Sequence, residues 1–367
     1  MAKRRGNNEG SIFWDKSKER WCAEITLPDG RRKRKRNKSK KVVQEWLLEQ
    51  RKNLQEGRLP INENVTLASY LDQFLQDVVQ HTLKPKTASS YTWLINKHIK
   101  PEIGKKKLAS LKSHHIQALY SEKLNSGLSS KTVHHIHSVL RRALNQAVSW
   151  ELIYRNPCDG VTPPRIEKKV PVVWSADQAK IFLDTVKEHS YYPIYLIALT
   201  TGARRGEILG LEWKNLSFTE NAISIQKTIQ EVSGKTVVGT PKTSGSRRKL
   251  TLPPITLDAL KEHQNKTKQT EGFIFTTSVG TPISPRNLLR HFYKAIDQAN
   301  LPRIRFHDLR HTFATLMLSV DGGVHPKVVQ EMLGHSSITQ TLDTYSHVIP
   351  GIKQEAAEKI NTIFAEG

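Results

Sequence analysis

A histidine, an arginine and a second histidine follow one another at helical spacing in residues 307–312, which read HDLRHT. Each helical residue is rotated by about 100° from the one before it, so such a segment has two sides. The apolar side carries Leu309, Phe313, Leu316 and Val320, and the opposite side carries His307, Arg310, His311 and Ala314. A guanidinium beside an imidazole suits a phosphate, because the guanidinium donates paired hydrogen bonds and the ring exchanges a proton. A single His-x-x-Arg pair is more often a solvated helix face, so a phosphate site requires further residues.

The two histidines of this segment, His307 and His311, also have the spacing of a helical metal site. Helical zinc sites of this kind commonly add an acidic residue between or after the histidines. No glutamate lies between these two, and on a helix Asp308 points away from their shared side. We therefore expect no metal at this segment.

Four other segments each hold one residue that could contact or attack a phosphate. They are Arg204 in TGARRGE, Lys242 in TPKT, His335 in LGHSSI and Tyr345 in TYSHV. Arg204 falls at a turn that enters a helix, and Lys242 falls in a turn between a β-rich stretch and a strand predicted over residues 249–252. The chain order is therefore Arg, Lys, His, Arg, His, Tyr.

This order resembles the catalytic set of the tyrosine recombinase, or phage-type integrase, family. The matching residues are Arg204, Lys242, His307, Arg310, His335 and Tyr345. The neighbouring words TGARRGE, PKT, HDLRHT, LGHSS and DTYSHV are also similar to those of the family, and no catalytic position departs from its pattern. One short motif would be weak support, but five in order make a chance agreement very unlikely.

The resemblance implies DNA strand cleavage without a metal or another cofactor. Attack on a phosphodiester gathers negative charge on two non-bridging oxygens, which Arg204 and Arg310 would neutralise as permanently charged forks. Tyr345 would be the nucleophile; a free phenol titrates near 10, so it needs nearby positive charge or a base. Lys242 would protonate the leaving 5′ oxygen, His307 would exchange a proton with the nucleophile, and His335 would hydrogen-bond the phosphate. The 3′-phosphotyrosine would keep the bond energy, so rejoining needs no ATP.

Two neighbours of Arg204 have simpler interpretations. Glu207 is expected to brace the arginine-bearing segment by charge pairing, and Arg205 to contact solvent or the phosphate backbone. Neither is counted as catalytic.

Composition independently points to a polyanionic partner. The 367 residues contain 57 Lys and Arg against 34 Asp and Glu, a formal net charge of +23. An excess of this size favours nucleic acid or an anionic membrane surface. No apolar run has the length of a membrane span, the first ten residues are polar and basic without a secretory pattern, and two cysteines cannot form a disulfide framework. We therefore expect a protein of a reducing compartment that binds DNA or RNA, without a membrane partner. The resemblance implies the cytoplasm of a bacterial host, in association with the nucleoid.

The positive charge is concentrated near the N-terminus. Residues 1–60 hold 18 Lys and Arg against 8 acidic residues. The predicted DNA-binding residues of this region are Arg31, Arg32, Lys33, Arg34, Lys35 and Arg36. An alternating strand with Trp21, Ala23, Ile25 and Leu27 precedes the run, a Pro28-Asp29-Gly30 turn joins them, and an amphipathic helix follows. A charge run is often only a solubilising face, but here it lies between ordered elements, which favours a nucleic-acid-binding module.

The sequence predicts a multidomain α+β chain. The fold comprises a small N-terminal three-stranded sheet plus a helix, an all-helical core-binding domain, and a mixed, mainly α catalytic domain with a small β-sheet. The expected domains are residues 1–60 (arm-type DNA-binding), 64–160 (helical, SAM-like, core-binding) and 170–367 (catalytic). Linkers are predicted over residues 55–64 and over the proline-containing residues 156–169. The two N-terminal domains resemble those of phage and conjugative-element integrases by layout and composition only.

Two helical faces are candidates for contacts outside the active site. The clearest helix of the middle domain follows Ser129 and presents Arg141 and Arg142, two further predicted DNA-binding residues, away from its apolar side. After Tyr345, residues 352–364 have apolar residues at helical spacing. This tail either covers its own domain or, as in the family, docks on a neighbouring protomer.

The leading interpretation is a site-specific DNA recombinase that integrates and excises a mobile element, either a prophage or an integrative conjugative element. Its partners would be double-stranded DNA at core and arm attachment sites and three further copies in a homotetramer, and it allows for an excisionase or a host DNA-bending protein. The alternatives are a type IB topoisomerase-like enzyme, which does not need an N-terminal module, and a catalytically idle DNA-binding regulator, which does not need Tyr345 and both arginines.

Overall fold

The computed structural model describes residues 9–26, 32–55, 64–167, 171–232, 234–241, 248–319, 323–334 and 337–339. The chain divides into two compact units, Met1–Glu167 and Lys168–Gly367. This boundary falls inside the proline-containing break predicted over residues 156–169. The further division of the first unit into two domains stays a prediction.

The N-terminal part is the predicted three-stranded sheet with one helix. Its elements are β1 (Ser11–Asp15), β2 (Arg20–Thr26), β3 (Arg32–Asn37) and α1 (Lys40–Gln55). The central strand β2 pairs antiparallel with both neighbours. Its alternate residues Ala23 and Ile25 are buried against Val43 and Leu47 of α1, as the period of two predicts. Leu27 and the predicted turn at residues 28–30 lie outside the described residues.

The basic strand β3 divides its charges between the two faces of the sheet. Residues opposite each other in an antiparallel pair project to the same face. Lys33 and Lys35 stand opposite the two buried residues of β2 and therefore project to the α1 side. Arg32, Arg34 and Arg36 lie on the other, open face.

The second part of this unit is helical, as predicted. Its helices are α2 (Leu67–Phe74), α3 (Gln80–Thr82), α4 (Pro85–Leu94), α5 (Lys100–Ile103), α6 (Ser113–Asn125) and α7 (Ser130–Ser149). A π-helical turn at Leu75–Val79 joins α2 to α3, and another at Ile95–Ile99 joins α4 to α5. The predicted cap of α7 is present, since the Ser129 hydroxyl accepts from the N–H of Thr132 at 3.2 Å. The apolar residues predicted for one side of α7 are all buried: Val133, Ile136, Leu140, Ala143, Leu144 and Ala147.

The predicted linker after α7 begins later than the sequence indicates. Asn156, Pro157 and Cys158 are buried, the last two in a short 3₁₀ turn at Pro157–Gly160. The side-chain amide of Asn156 donates to the carbonyl oxygen of Arg141 at 2.9 Å and fixes this turn against α7. The helical core therefore extends to Val161. The prolines of this segment suggest a linker, but they do not reveal that the buried Asn156 attaches the segment to α7.

The second unit combines seven helices with two small antiparallel sheets among its described residues. The helices are α8 (Ala176–Thr185), α9 (Tyr192–Thr201), α10 (Arg205–Leu209), α11 (Pro254–Thr267), α12 (Pro285–Gln298), α13 (Asp308–Ser319) and α14 (Pro326–Leu333). The strands are β4 (Leu216–Ser217), β5 (Ala222–Ser224), β6 (Thr228–Val232), β7 (Lys235–Gly239) and β8 (Lys249–Thr251). One sheet has the order β4-β5-β8 and the other pairs β6 with β7.

The central helix α9 fixes the position of the segment that follows it. Nearly every side chain of α9 is buried, so its end at Gly202 is rigidly placed in the core. The next helix, α10, packs directly on the backbone of the β6 segment. A Cβ atom at Gly206 would lie 2.7 Å from the carbonyl oxygen of Ile229, and one at Gly210 would lie 2.6 Å from that of Lys227. Only glycine permits this approach, and it holds α10 in place.

Helix α13 differs from the two-sided helix predicted from its sequence. Leu309 packs in the main core and Phe313 in a smaller cluster with α14. Arg310 and Ala314, which the helical pattern places on a polar side, are buried as well. The reason is that α13 packs against both α9 and α14. The predicted open polar side of α13 is therefore wrong for Arg310 and Ala314, and His307 precedes the helix.

Candidate active site

Arg204 lies at the junction of α9 and α10, in the turn predicted for it. Gly202 ends α9 in the left-handed conformation, with φ of +63°, and a Cβ there would lie 2.5 Å from Phe313. This turn makes Arg204 the residue that caps α10. Its backbone N–H donates to Oε2 of Glu207 at 3.0 Å, and its Nη1 donates to Oε1 of the same carboxylate at 2.8 Å. Both ends of Arg204 are therefore held by one side chain.

Glu207 is the brace predicted from the sequence. Its carboxylate is almost fully buried and binds Arg248 as well as Arg204. Burial by itself raises the pKa of Glu207, but the charge of Arg248 and the hydrogen bonds and charge of Arg204 outweigh it and leave the pKa below its usual range. The carboxylate is therefore ionised at neutral pH and orients two guanidinium groups.

Arg248, at the start of the β8 segment, was not singled out in the sequence. Its Nη2 donates to Oε2 of Glu207 at 3.1 Å and its Nε donates to the carbonyl oxygen of Met332 at 2.9 Å. Desolvation lowers the pKa of Arg248, and the charge of Glu207 opposes that shift. The only signal in the sequence is the run of three basic residues in SRRKL, and such a run is equally typical of an exposed, charged surface.

Arg310 is buried beside the Arg204 turn. Only 3% of its surface is exposed, and its Nη1 donates to the carbonyl oxygen of Gly202 at 2.7 Å. Gly202 lies two residues before Arg204, so this hydrogen bond ties the α13 segment to the turn that carries the first arginine. Two of the six predicted catalytic residues, far apart in sequence, thus meet at the end of α9.

His307 lies immediately before α13, close enough to Arg310 and Arg204 for their positive charges to affect its pKa. Desolvation, followed by the positive charges of His311 and Arg310 and more weakly that of Arg204, lowers the pKa of His307 to about 4. The ring centroids of His307 and His311 are 5.3 Å apart. At neutral pH His307 is therefore uncharged, and its side chain is exposed at the surface of the unit, where its ring can accept a proton.

The segment that carries His307 has a brace of its own. Asp308 accepts from the backbone N–H of Arg305 at 2.7 Å and from its Nη2 at 2.7 Å. Burial alone would raise the pKa of Asp308, but these hydrogen bonds and the Arg305 charge keep it lowered. An acidic residue at the first position of α13 also interacts favourably with the helix dipole.

Three of the predicted catalytic residues, Lys242, His335 and Tyr345, lie outside the described residues. The segments that lead to two of them are described. The chain is described up to Pro241, and the carbonyl oxygen of Gly334 accepts from Nη2 of Arg204 at 3.4 Å. The residue before His335 is therefore in contact with Arg204.

The predicted DNA-binding residues of the first unit are at its surface. Arg32 and Arg34 pair with Glu24, and Arg36 pairs with Asp15 at 3.4 Å. Arg31 lies outside the described residues. Lys33 differs from the three arginines: it lies on the α1 side and donates to Gln50 there.

The other two predicted DNA-binding residues, Arg141 and Arg142, are exposed on α7. Arg141 pairs with Asp159, its Nη2 lying 3.1 Å from the carboxylate oxygen, and the guanidinium of Arg142 lies over the ring of Tyr91 at 5.9 Å. Both are held by surface partners that a phosphate could replace.

The described residues contain no cluster of three or more His, Cys, Asp or Glu side chains with the arrangement of a metal site. The helices of the described ranges are also too short or too polar to cross a bilayer.

Two family models match the chain. Residues 173–350 match the phage integrase family, and residues 66–124 match the N-terminal SAM-like domain of phage integrases. A tyrosine recombinase XerC-like protein of Caldanaerobacter subterraneus subsp. tengcongensis is 33% identical over 82% of this chain and 84% of its own length. The ICEBs1 integrase of Bacillus subtilis is 27% identical over 85% of this chain and 87% of its own length.

Solved structures with the same fold are integrases bound to DNA. The Tn1549 transposon integrase in complex with a circular intermediate DNA superposes with a TM-score of 0.69 at 23% identity, covering 81% of this chain and 99% of that one. A lambda integrase tetramer bound to a Holliday junction superposes with a TM-score of 0.60 at 18% identity, covering 92% and 98%. At these identities the likeness concerns the fold. The XerC-like relative, at 33% identity over 82% of this chain, and the matched models establish that the chain belongs to the tyrosine recombinase, or phage integrase, family.

Proposed function

We propose that this chain integrates and excises a mobile element, using Arg204, Lys242, His307, Arg310, His335 and Tyr345 as its active site. As a tyrosine recombinase it cleaves and rejoins DNA strands at specific sites. The observation that carries the assignment of residues is the convergence of Arg204, Arg310 and His307 around the end of α9. The carbonyl oxygen of Gly202 accepts a hydrogen bond from Arg310, and Gly202 begins the turn that carries Arg204.

The two arginines supply the positive charge that cleavage requires. A phosphorane-like transition state carries extra negative charge on its non-bridging oxygens, and fixed guanidinium donors stabilise that charge without reorganising during the reaction. Arg204 is fixed by Glu207 and Arg310 by Gly202. Neither depends on solvent to hold its position, so both are suited to this role.

Proton transfer would use His307, whose lowered pKa leaves its ring uncharged at neutral pH. A neutral imidazole can accept the proton of the attacking Tyr345 hydroxyl, whereas an imidazolium cannot. Lys242 would give a proton to the leaving 5′ oxygen, and His335, which follows the Arg204-bound Gly334, would hydrogen-bond the scissile phosphate. The phosphorus–tyrosine bond formed in cleavage is broken again by the 5′ hydroxyl in rejoining, so no cofactor is consumed.

DNA binding would use the first unit in two parts. Residues 1–60 would bind arm sites through the open face of the sheet, where Arg32, Arg34 and Arg36 project together. Residues 64–160 would bind the core site with Arg141 and Arg142, and residues 170–367 would carry out catalysis. The exposure of these arginines supports this, since 36% to 64% of each side chain is open to a phosphate contact although each also pairs with a carboxylate of the sheet.

Assembly would follow the family pattern. We infer a homotetramer on two DNA duplexes, in line with the fold shared with a lambda integrase tetramer on a Holliday junction. An excisionase or a host DNA-bending protein would set the direction of the reaction, and the working compartment would be the bacterial nucleoid.

The test is a suicide substrate, a duplex with the element's attachment site and a nick beside the cleavage position, so that the released fragment diffuses away. We expect a covalent 3′ adduct only on duplexes with the attachment site. Adducts on any duplex would instead support a topoisomerase-like enzyme, and binding without any adduct would support an idle regulator.

A further inference from the structure

Arg248 connects three segments of the catalytic unit at a single point. It begins the β8 segment, contacts Glu207 on α10, and contacts the carbonyl oxygen of Met332 near the end of α14. Only 10% of its side chain is exposed. Lys242 precedes Arg248 by six residues in the sequence, and Gly334, the residue before His335, follows α14 directly. Arg248 therefore contacts the helix that Arg204 caps and the end of the helix that leads to His335.

The backbone at Gly334 is shaped around this guanidinium. Gly334 ends α14 with φ of +65°, and a Cβ atom there would lie 2.9 Å from Nη1 of Arg248 and 3.2 Å from its Cδ. A side chain at this position would collide with Arg248. Among the described atoms, Nη1 has no hydrogen-bond acceptor of its own. The guanidinium thus supports the chain at the point where it continues to His335.

A buried cation of this kind has a cost, which argues for a role beyond packing. Removing a charge from water is unfavourable, and an ion pair offsets this only with good geometry and further hydrogen bonds. Arg248 obtains both, because its planar fork donates to Glu207 and to Met332 at once. A lysine could keep the charge, but it could not donate both hydrogen bonds with the same geometry.

We propose that Arg248 is a positioning residue for Arg204. It holds the Glu207 carboxylate in the orientation that fixes Arg204, and it locks the end of α14 to the same carboxylate. This inference rests on the proposed function, since it assumes that Arg204 stabilises the transition state. Arg310 contacts the same turn at a different point, since its Nη1 donates to the carbonyl oxygen of Gly202.

The experiment measures single-turnover cleavage at saturating DNA, together with the DNA Kd and the Tm, for Arg248→Lys. We expect cleavage to slow about 10- to 100-fold, the range seen when a reacting group is misplaced by about 1 Å, with Kd unchanged. Lys249→Gln is the matched control on the same strand, since Lys249 pairs with Glu220 at the surface. We expect it to cleave at the wild-type rate.

Double-mutant cycles separate positioning from general destabilisation. Arg248→Lys combined with Glu207→Gln should be no slower than the slower single variant, because both changes break one network. Arg248→Lys combined with Asp308→Asn should lose the product of the two single effects, because Asp308 braces a different segment. Both readouts are taken well below the Tm of every variant. If Arg248→Lys is too unstable for this, Arg248→Gln, which removes the buried charge but keeps a hydrogen-bond donor, replaces it.

The outcomes are distinct. Wild-type cleavage within about threefold of the Arg248→Lys rate, or multiplicative effects with Glu207→Gln, would overturn the positioning role while leaving the proposed function intact. A wild-type protein that forms no covalent adduct would instead overturn the proposed function itself.

Discussion

Arg310 of the candidate active site and Arg32 of the N-terminal sheet are the same side chain in opposite environments. Arg310 is 3% exposed and donates to a backbone carbonyl in the core of its unit. The side chain of Arg32 is 64% exposed and pairs with Glu24 on an open sheet face. The first arrangement fixes a charge in space, and the second keeps a charge available at the surface.

This difference separates catalysis from binding. A fixed charge in a low-dielectric site interacts strongly with a developing negative charge and is little screened by salt. An exposed charge interacts weakly with any one partner, is screened within about 10 Å at 0.1 M salt, and exchanges partners readily. We therefore expect changes at the two fixed arginines, Arg204 and Arg310, to affect rates. Changes at the arginines of the open sheet face should affect affinity and its dependence on salt.

The largest effect is expected from removing a fixed guanidinium. Arg204→Ala and Arg310→Ala should each slow cleavage of the suicide substrate by about 100-fold or more, because loss of one preorganised charge contact costs roughly 3 kcal/mol. DNA affinity at the core site should change little. Rates within about threefold of wild type would place these residues outside the active site.

Removal of the N-terminal module should affect direction more than chemistry. A truncation that begins at residue 64 should keep cleavage at the core site but impair integration, because one protomer could no longer hold two DNA segments at high effective concentration. Recombination assays in both directions measure this. Equal integration by truncated and full-length protein would show that the basic run is only a solubilising face.

The open face of the sheet should account for the salt dependence of arm binding. Replacing Arg32, Arg34 and Arg36 together by Ser should reduce the slope of log K against log salt by up to about 2.7, since each neutralised phosphate contributes about 0.9. Lys33→Gln with Lys35→Gln is the matched control on the α1 side, and its slope should change less. The reverse ranking would mean that the sheet binds DNA through its other face.

The pH dependence should show His307 as a neutral base. Its pKa lies below the unperturbed value of 6.5, so the acidic limb of kcat/KM, which reports the free enzyme, should fall well below pH 6.5. His307→Gln should remove this limb. The same shift destabilises the fold in acid: below pH 6.5 the unfolded chain takes up a proton that the folded chain resists, so the free energy of unfolding declines towards pH 4. A limb at pH 6.5 or above would contradict the neutral-base role.

The smallest effect is expected from chelation. The fixed guanidinium groups take the place of a divalent ion in stabilising charge, so EDTA should leave single-turnover cleavage unchanged. A strict requirement for Mg²⁺ in the cleavage step would contradict this account of the buried arginines.

The sequence predicts the catalytic turn more accurately than the helix beside it. The sequence predicts that Arg204 lies at a turn entering a helix, and the structure places it between α9 and α10, where it caps α10. The sequence also predicts Glu207 as a brace that pairs its charge within this segment, and the structure shows its ion pair with Arg204. These are short-range features, which sequence spacing determines directly.

Contacts between residues far apart in the sequence could not be predicted from the spacing of residues along the chain. The periodicity of α13 could not reveal that α9 and α14 enclose it on both sides, so Arg310 was expected on an open face. Arg248 was missed because its partners, Glu207 and Met332, are 41 and 84 residues away. Asn156 was assigned to a linker because its buried hydrogen bond to α7 has no sequence signature.

The most direct test of the account is to identify the amino acid that becomes attached to DNA. Cleavage of the suicide substrate, trypsin digestion and mass spectrometry of the DNA-linked peptide should yield residues 328–353, which contain Tyr345 and no other tyrosine. Tyr345→Phe should bind the same DNA with nearly unchanged affinity and yield no adduct, because only the attacking oxygen is removed. A DNA-linked peptide from another part of the chain, or an adduct formed by Tyr345→Phe, would contradict the assignment of the nucleophile.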